Sequence, residues 1–190
     1  MIPTLDLSRP DGELAPVLGA AFRDIGFVVL ANHGVPPPVV DALYAAANGF
    51  FDLPPEEKAR VARPRPEQNR GFIAYGQETL ARLGGRQTPP DHKEIFSIGP
   101  FDLPDDAYHT AAEAYPSFAP NLWPERPAAL QPAMRAYWRE VTVLARRTLT
   151  IDSGELIRIA APQTTLVRKK GGGFRRIETH HVELAGGQGT

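Results

Sequence analysis

Proline placement constrains this chain more than any other feature. Of its 20 prolines, all but Pro162 lie in residues 1–149. Proline removes a hydrogen bond from a helix interior and a ladder bond from a sheet, so these residues bias where regular elements begin and end. The last 41 residues carry seven of the 17 glycines and a single aromatic residue, Phe174. Charge shifts at the same place. The first 149 residues hold 15 basic and 18 acidic groups, the last 41 hold 6 and 4. The chain changes character near Leu149, so residues 1–149 are expected to form one region and residues 150–190 a poorly ordered, Gly- and Arg-containing tail.

Apolar spacing predicts the elements. Leu14, Val17, Leu18, Ala21, Phe22 and Ile25 recur at three- and four-residue intervals, predicting a helix over 13–25 that Gly26 stops. Phe27-Val28-Val29-Leu30 is too short for a helix and apolar throughout, the pattern of a strand covered on both faces. Helical spacing returns over 39–51, and Pro54-Pro55-Glu56-Glu57-Lys58 is the composition of a helix start. Residues 70–76 and 94–98 read as strands, and 100–130 as mostly loop. The longest helix is expected over 132–149, with Met134, Tyr137, Trp138, Val141, Leu144, Ala145 and Thr148 on one stripe. In the tail, 156–159 and 164–167 are strand candidates. Gly171-Gly172-Gly173 is placed to turn a hairpin into Phe174-Arg175-Arg176-Ile177, and 185–190 is expected to fray.

Composition excludes several chemistries. With no cysteine there is no disulfide, no thiolate nucleophile and no Cys-ligated metal. A net charge of −1 gives no bulk attraction to polyanions. The Arg168-Lys169-Lys170 and Arg175-Arg176 cluster lacks interleaved aromatics and reads as a solvated face, so no nucleic-acid partner is expected. No run approaches the roughly 18 apolar residues of a membrane span, and Met1 to Asp6 is unlike a secretory leader, so a cytoplasmic location is expected. Neither a Gly-x-Ser-x-Gly elbow nor a phosphate-cradling glycine loop is present.

Five histidines leave metal binding to consider. A facial two-histidine, one-carboxylate site takes His-x-Asp/Glu from one strand and a distant second histidine. His92-Lys93-Glu94 and His181-Val182-Glu183 have the spelling. Neither has a suitably placed later histidine, and both read as solvated groups. His180 and His181 are adjacent, so on a strand they face opposite sides. His33, in a turn before Pro36, is expected to make a structural hydrogen bond. Arg70 precedes a strand candidate, where a guanidinium can hold a substrate carboxylate through two parallel bonds.

Several segments in order carry a family resemblance: Ile2-Pro3-Thr4-Leu5-Asp6-Leu7-Ser8, then Phe22 to Pro36 with Gly26-Phe27-Val28-Val29-Leu30-Ala31-Asn32-His33-Gly34-Val35, then Phe50-Phe51-Asp52-Leu53-Pro54-Pro55-Glu56-Glu57-Lys58. Asn69-Arg70-Gly71-Phe72, Asp91-His92-Lys93-Glu94-Ile95-Phe96 and Asn121-Leu122-Trp123-Pro124 continue the series. Residues 1–149 thereby resemble the N-terminal region of the isopenicillin N synthase-like iron(II)- and 2-oxoglutarate-dependent oxygenases. The resemblance implies an α+β fold: a helix-rich N-terminal lobe packed on a double-stranded β-helix, or jelly roll. It also implies oxidation of a small molecule by dioxygen, with iron(II) and 2-oxoglutarate as cofactors. Arg70 is the one residue it carries over as a substrate contact; it supplies no catalytic residue and no metal ligand here.

After Leu149 the family pattern is absent. No His-x-Asp and no Arg-x-Ser occurs in the chain, and 41 residues are too few for a complete jelly roll. The expectation is a truncated or frame-disrupted oxygenase with most of the jelly roll missing, which binds neither cofactor and is inactive alone. The alternative is a non-catalytic binding or interaction module. As such a module it would expose the apolar face of the 132–149 helix, which favours self-association, and the lobe without its main packing partner is expected to have loose tertiary order and marginal stability.

Overall fold

The computed structural model describes residues 1–77, 89, 91–153, 163–169 and 174–180. The elements run β1 (Thr4–Asp6), α1 (Asp11–Asp24), β2 (Val29–Ala31), α2 (Pro37–Phe51), α3 (Pro55–Ala59), β3 (Gly71–Ile73) and β4 (Lys93–Ile98). They continue with α4 (Ala107–Thr110), a 3-10 turn at Ala112–Ala114, α5 (Tyr115–Phe118), α6 (Leu130–Ser153), β5 (Gln163–Lys169) and β6 (Phe174–His180). Prolines mark the helix starts as their chemistry requires. Pro36 flanks α2, whose first two residues are Pro37 and Pro38, and Pro54 flanks α3, which opens on Pro55.

Two sheets form. β1 and β2 pair in parallel, Leu5 opposite Leu30. β3, β4, β5 and β6 make a four-stranded antiparallel sheet in that order. In it Phe72 lies opposite Phe96, and Phe96 in turn opposite Leu166.

Two cores lie under these sheets. The larger gathers Leu43, Phe50, Phe51, Phe72, Phe96, Ile98, Leu130, Met134 and Leu166. Phe50 is its hub, with ring centroids 4.8 Å from Phe96 and 5.9 Å from Phe72. The smaller contains Leu5, Leu7, Leu14, Leu18 and Ile151. α6 serves both. At 1.5 Å per residue its 24 residues span roughly 36 Å, placing Met134 in one core and Ile151 in the other.

Three features differ from the sequence expectations. α6 starts at Leu130 and continues past Leu149 to Ser153. Its stripe is not bare: Leu130, Met134, Val141 and Ile151 are buried, because α6 packs against α1 and α2, and Val143 is its one large exposed apolar side chain among the described residues. The β2 segment is covered on one face only. Val28 and Leu30 pack on the smaller core, while Phe27 and Val29 remain 67% and 50% exposed. The exposed apolar face therefore lies along β2 and the residues that lead into it.

The two later strand candidates are present as β5 and β6, and Leu166 is fully buried in the larger core. The candidates at 156–159, the glycine turn at 171–173 and the terminal 185–190 lie outside the described residues.

Candidate functional site

The described chemistry concentrates where β3 and β4 meet the 100–121 segment. Each residue of the Asn69-Arg70-Gly71-Phe72 motif has a distinct local reason. Gly71 adopts φ +92°, and a Cβ there would sit 2.5 Å from the Val61 carbonyl oxygen and 2.8 Å from Leu122 Cδ1. Only glycine fits both the backbone conformation and the space. Phe72 drops into the larger core.

Arg70 is only 3% exposed. Its Nη1 donates to the Asn69 carbonyl at 2.7 Å and its Nη2 to the Ser117 carbonyl. Its Nε is buried without a partner among the described residues. Gly99 lies against the guanidinium so closely that a Cβ at Gly99 would overlap it. Burial lowers the Arg70 pKa to about 10, because desolvation penalises the charged form. Asn121 closes the loop beside it: Gly99 N donates to Asn121 Oδ1 at 2.8 Å, and Asn121 Nδ2 donates to the Gly99 and Pro100 carbonyls.

Glu94 has a structural partner. It is 1% exposed and accepts from Lys58 Nζ at 2.7 Å. Lys58 also donates to the Phe51 carbonyl at 3.0 Å and lies 5.4 Å from the Phe72 ring centroid. The pair ties α3 to β4 through the larger core. Sequence reasoning missed it: Glu94 reads as a solvated group, and only its place beside the apolar Ile95-Phe96 of β4 hints at burial. His33 does what its turn position requires, its Nδ1 accepting from Val35 N at 3.1 Å. His109 pairs with Asp106 across 2.6 Å, and that contact holds the Asp106 carboxyl below the usual range.

Iron(II) with 2-oxoglutarate needs three converging ligands and a carboxylate anchor. Among the described residues no three His, Asp or Glu side chains are grouped to hold a metal. His181 and Glu183 lie outside the described residues. Among the described residues the donor set does not fit the group.

Residues 2–126 match the family described as non-haem dioxygenase in morphine synthesis N-terminal. The chain belongs to this dioxygenase N-terminal family. Validamycin A dioxygenase of Streptomyces hygroscopicus subsp. limoneus is 34% identical over 146 residues, 75% of this chain and 38% of that protein. Leucoanthocyanidin dioxygenase 2 of Oryza sativa subsp. japonica is 30% identical over 186 residues, 96% of this chain and 43% of that protein. The chain thus spans about two fifths of the length of these dioxygenases. The crystal structure of a full-length Neurospora crassa protein in complex with alpha-KG aligns with 87% of the chain at a TM-score of 0.66 and 24% identity, covering 54% of that protein. The fold of this dioxygenase N-terminal region is therefore the α+β, helix-rich part of a jelly-roll oxygenase, with most of the jelly roll missing from the 190 residues. No helix among the described residues is long and apolar enough to cross a membrane.

Proposed function

We propose that this chain is the N-terminal lobe of an iron(II)- and 2-oxoglutarate-dependent oxidoreductase that oxidises a small molecule with dioxygen in the cytoplasm. The supporting observation is the family match over residues 2–126, together with the ordered motifs that build the β3–β4 site. In this reading Arg70 is a substrate contact and its guanidinium is the polar anchor of the lobe. The lobe supplies substrate-side surface and no iron ligand, so residues 1–190 alone do not turn over 2-oxoglutarate.

The test incubates the purified chain with iron(II), 2-oxoglutarate and air and measures succinate. No iron-dependent succinate is expected, and its appearance would overturn the inactive-lobe reading. Sequencing the gene beyond codon 149 and translating all three frames tests the origin of the tail. His-x-Asp and Arg-x-Ser motifs in another frame identify an interrupted oxygenase; their absence from every frame removes that explanation.

The second reading is an interaction module. It is favoured by Phe27 and Val29, exposed together on one face of the β2 segment. It predicts self-association through that face.

A further inference from the structure

Arg70 carries a buried charge that no carboxylate among the described residues answers. The ion pairs of the described residues use other cations, and the partners of Arg70 are two neutral carbonyls. A guanidinium presents a side-on edge formed by Nε–H and the adjacent Nη–H, the edge that takes a carboxylate through two parallel bonds. In Arg70 that edge is half used. Nη2 donates to the Ser117 carbonyl and Nε has no partner among the described residues. The Gly99 backbone packs directly against this part of the guanidinium, with no room for a Cβ between them.

The same arginine holds down a segment. Between Pro100 and Asn121 the chain runs on from the end of β4 as α4, the 3-10 turn and α5. Its base is closed by the Asn121 bonds to Gly99 and Pro100. Its far side is held by Arg70 at Ser117, by the Tyr115 hydroxyl donating to Gln68 Oε1 at 3.2 Å, and by Arg65 stacked 4.8 Å from the Tyr115 ring centroid. These holds come from residues 65–70, and both Gln68 and Arg70 are buried.

We infer that residues 107–118 form a strap latched by Arg70, and that a carboxylate-bearing small molecule unlatches it by taking the side-on edge of the guanidinium from the Ser117 carbonyl. The inference rests on the reading of Arg70 as a substrate contact and names the substrate class, an organic carboxylate. A carboxylate supplies two acceptors and the missing negative charge, where Ser117 supplies one neutral oxygen. The Asn121 base stays closed, so the strap opens as a flap on a fixed hinge.

The test follows backbone amide exchange of the intact chain by mass spectrometry while sodium acetate is titrated against sodium chloride at equal ionic strength. Exchange in 107–118 is expected to rise several-fold with acetate and not with chloride, with peptides around Gly99 and Asn121 unchanged. Arg70→Gln is expected to exchange rapidly in 107–118 from the outset and to ignore acetate. Gly99→Ala pushes a Cβ into the guanidinium and is expected to open the strap without any anion; it keeps the question answerable if Arg70→Gln fails to fold. Equal responses to acetate and chloride, an acetate response in Arg70→Gln, or a closed strap in Gly99→Ala would each overturn the inference. The readout needs neither iron nor 2-oxoglutarate, so its failure is separable from failure of the oxygenase reading.

Discussion

Glycines at two positions in this fold have opposite physical meanings. Gly71 holds φ +92° against the Val61 carbonyl, so Gly71→Ala is expected to destabilise by about 1–3 kcal/mol from backbone strain, and more from the overlap. Gly12 lies in the first turn of α1 with nothing near its missing Cβ, so Gly12→Ala is expected to stabilise by roughly 0.5–1 kcal/mol. Denaturant midpoints of the two variants check both signs. The Lys58–Glu94 pair behaves as buried charges do. Lys58→Met removes the ammonium that Glu94 accepts from and is expected to destabilise, and the double variant with Glu94→Leu to recover part of the loss. A double-mutant cycle in urea measures the coupling. Asp6 governs acid behaviour at the surface. Asn32 Nδ2, then the Ser8 amide and hydroxyl, donate to its carboxyl and lower its pKa. A carboxyl depressed in the folded state contributes stability above its unfolded pKa of about 3.9, and that contribution is lost as pH falls through the lower folded value. Asp6→Asn is therefore expected to flatten the acid limb of a stability–pH curve while leaving its shape above neutrality unchanged.

At the scale of elements, α6 and β5 do the joining. α6 places Met134 in one core and Ile151 in the other, and β5 pairs with β4 over six positions while burying Leu166 against the aromatic hub. Leu166→Ala is expected to cost about 2–5 kcal/mol, as for any fully buried leucine, whereas Val143→Ala on the exposed side of α6 stays within about 0.5 kcal/mol. Thermal melts of the pair check whether β5 shares the cooperative unit. Helices were the legible elements. α1 and α2 begin within two residues of the positions their apolar spacing indicates, because a 3.6-residue stripe and a proline entry are local signals. β1 was recognised as a motif but not as a strand. Three residues carry too little alternation to declare a strand, and its partner lies 25 positions downstream, Thr4 opposite Val29.

At the scale of the molecule, the exposed face of the β2 segment is where association is expected. The run Phe27-Val28-Val29-Leu30 has the composition of a strand covered twice, and here one cover is present. Apolar side chains on an open strand favour association. The chain is expected to show a concentration-dependent mass by light scattering, which Phe27→Ser with Val29→Ser lowers towards the monomer. A mass that stays monomeric across concentration would remove the association reading, and a sharp cooperative melt of that monomer would count against a loosely packed fragment.

Family membership, the positions of the long helices α1, α2 and α6 and the Asn69-Arg70-Gly71-Phe72 motif could be read from the amino-acid order, because each depends on near neighbours or on an ordered set of short motifs. The short α4 and α5 and the burial of Glu94 could not. Nor could the partners of Arg70 and Glu94. That Arg70 meets Ser117 across 47 positions, that Glu94 meets Lys58 across 36, and that the stripe of α6 is covered while β2 is not, follow from packing between distant segments. Burial and charge pairing are properties of which surfaces the fold brings together, so tertiary structure alone turns a surface-type arginine into a latch and a ligand-like glutamate into a core ion pair.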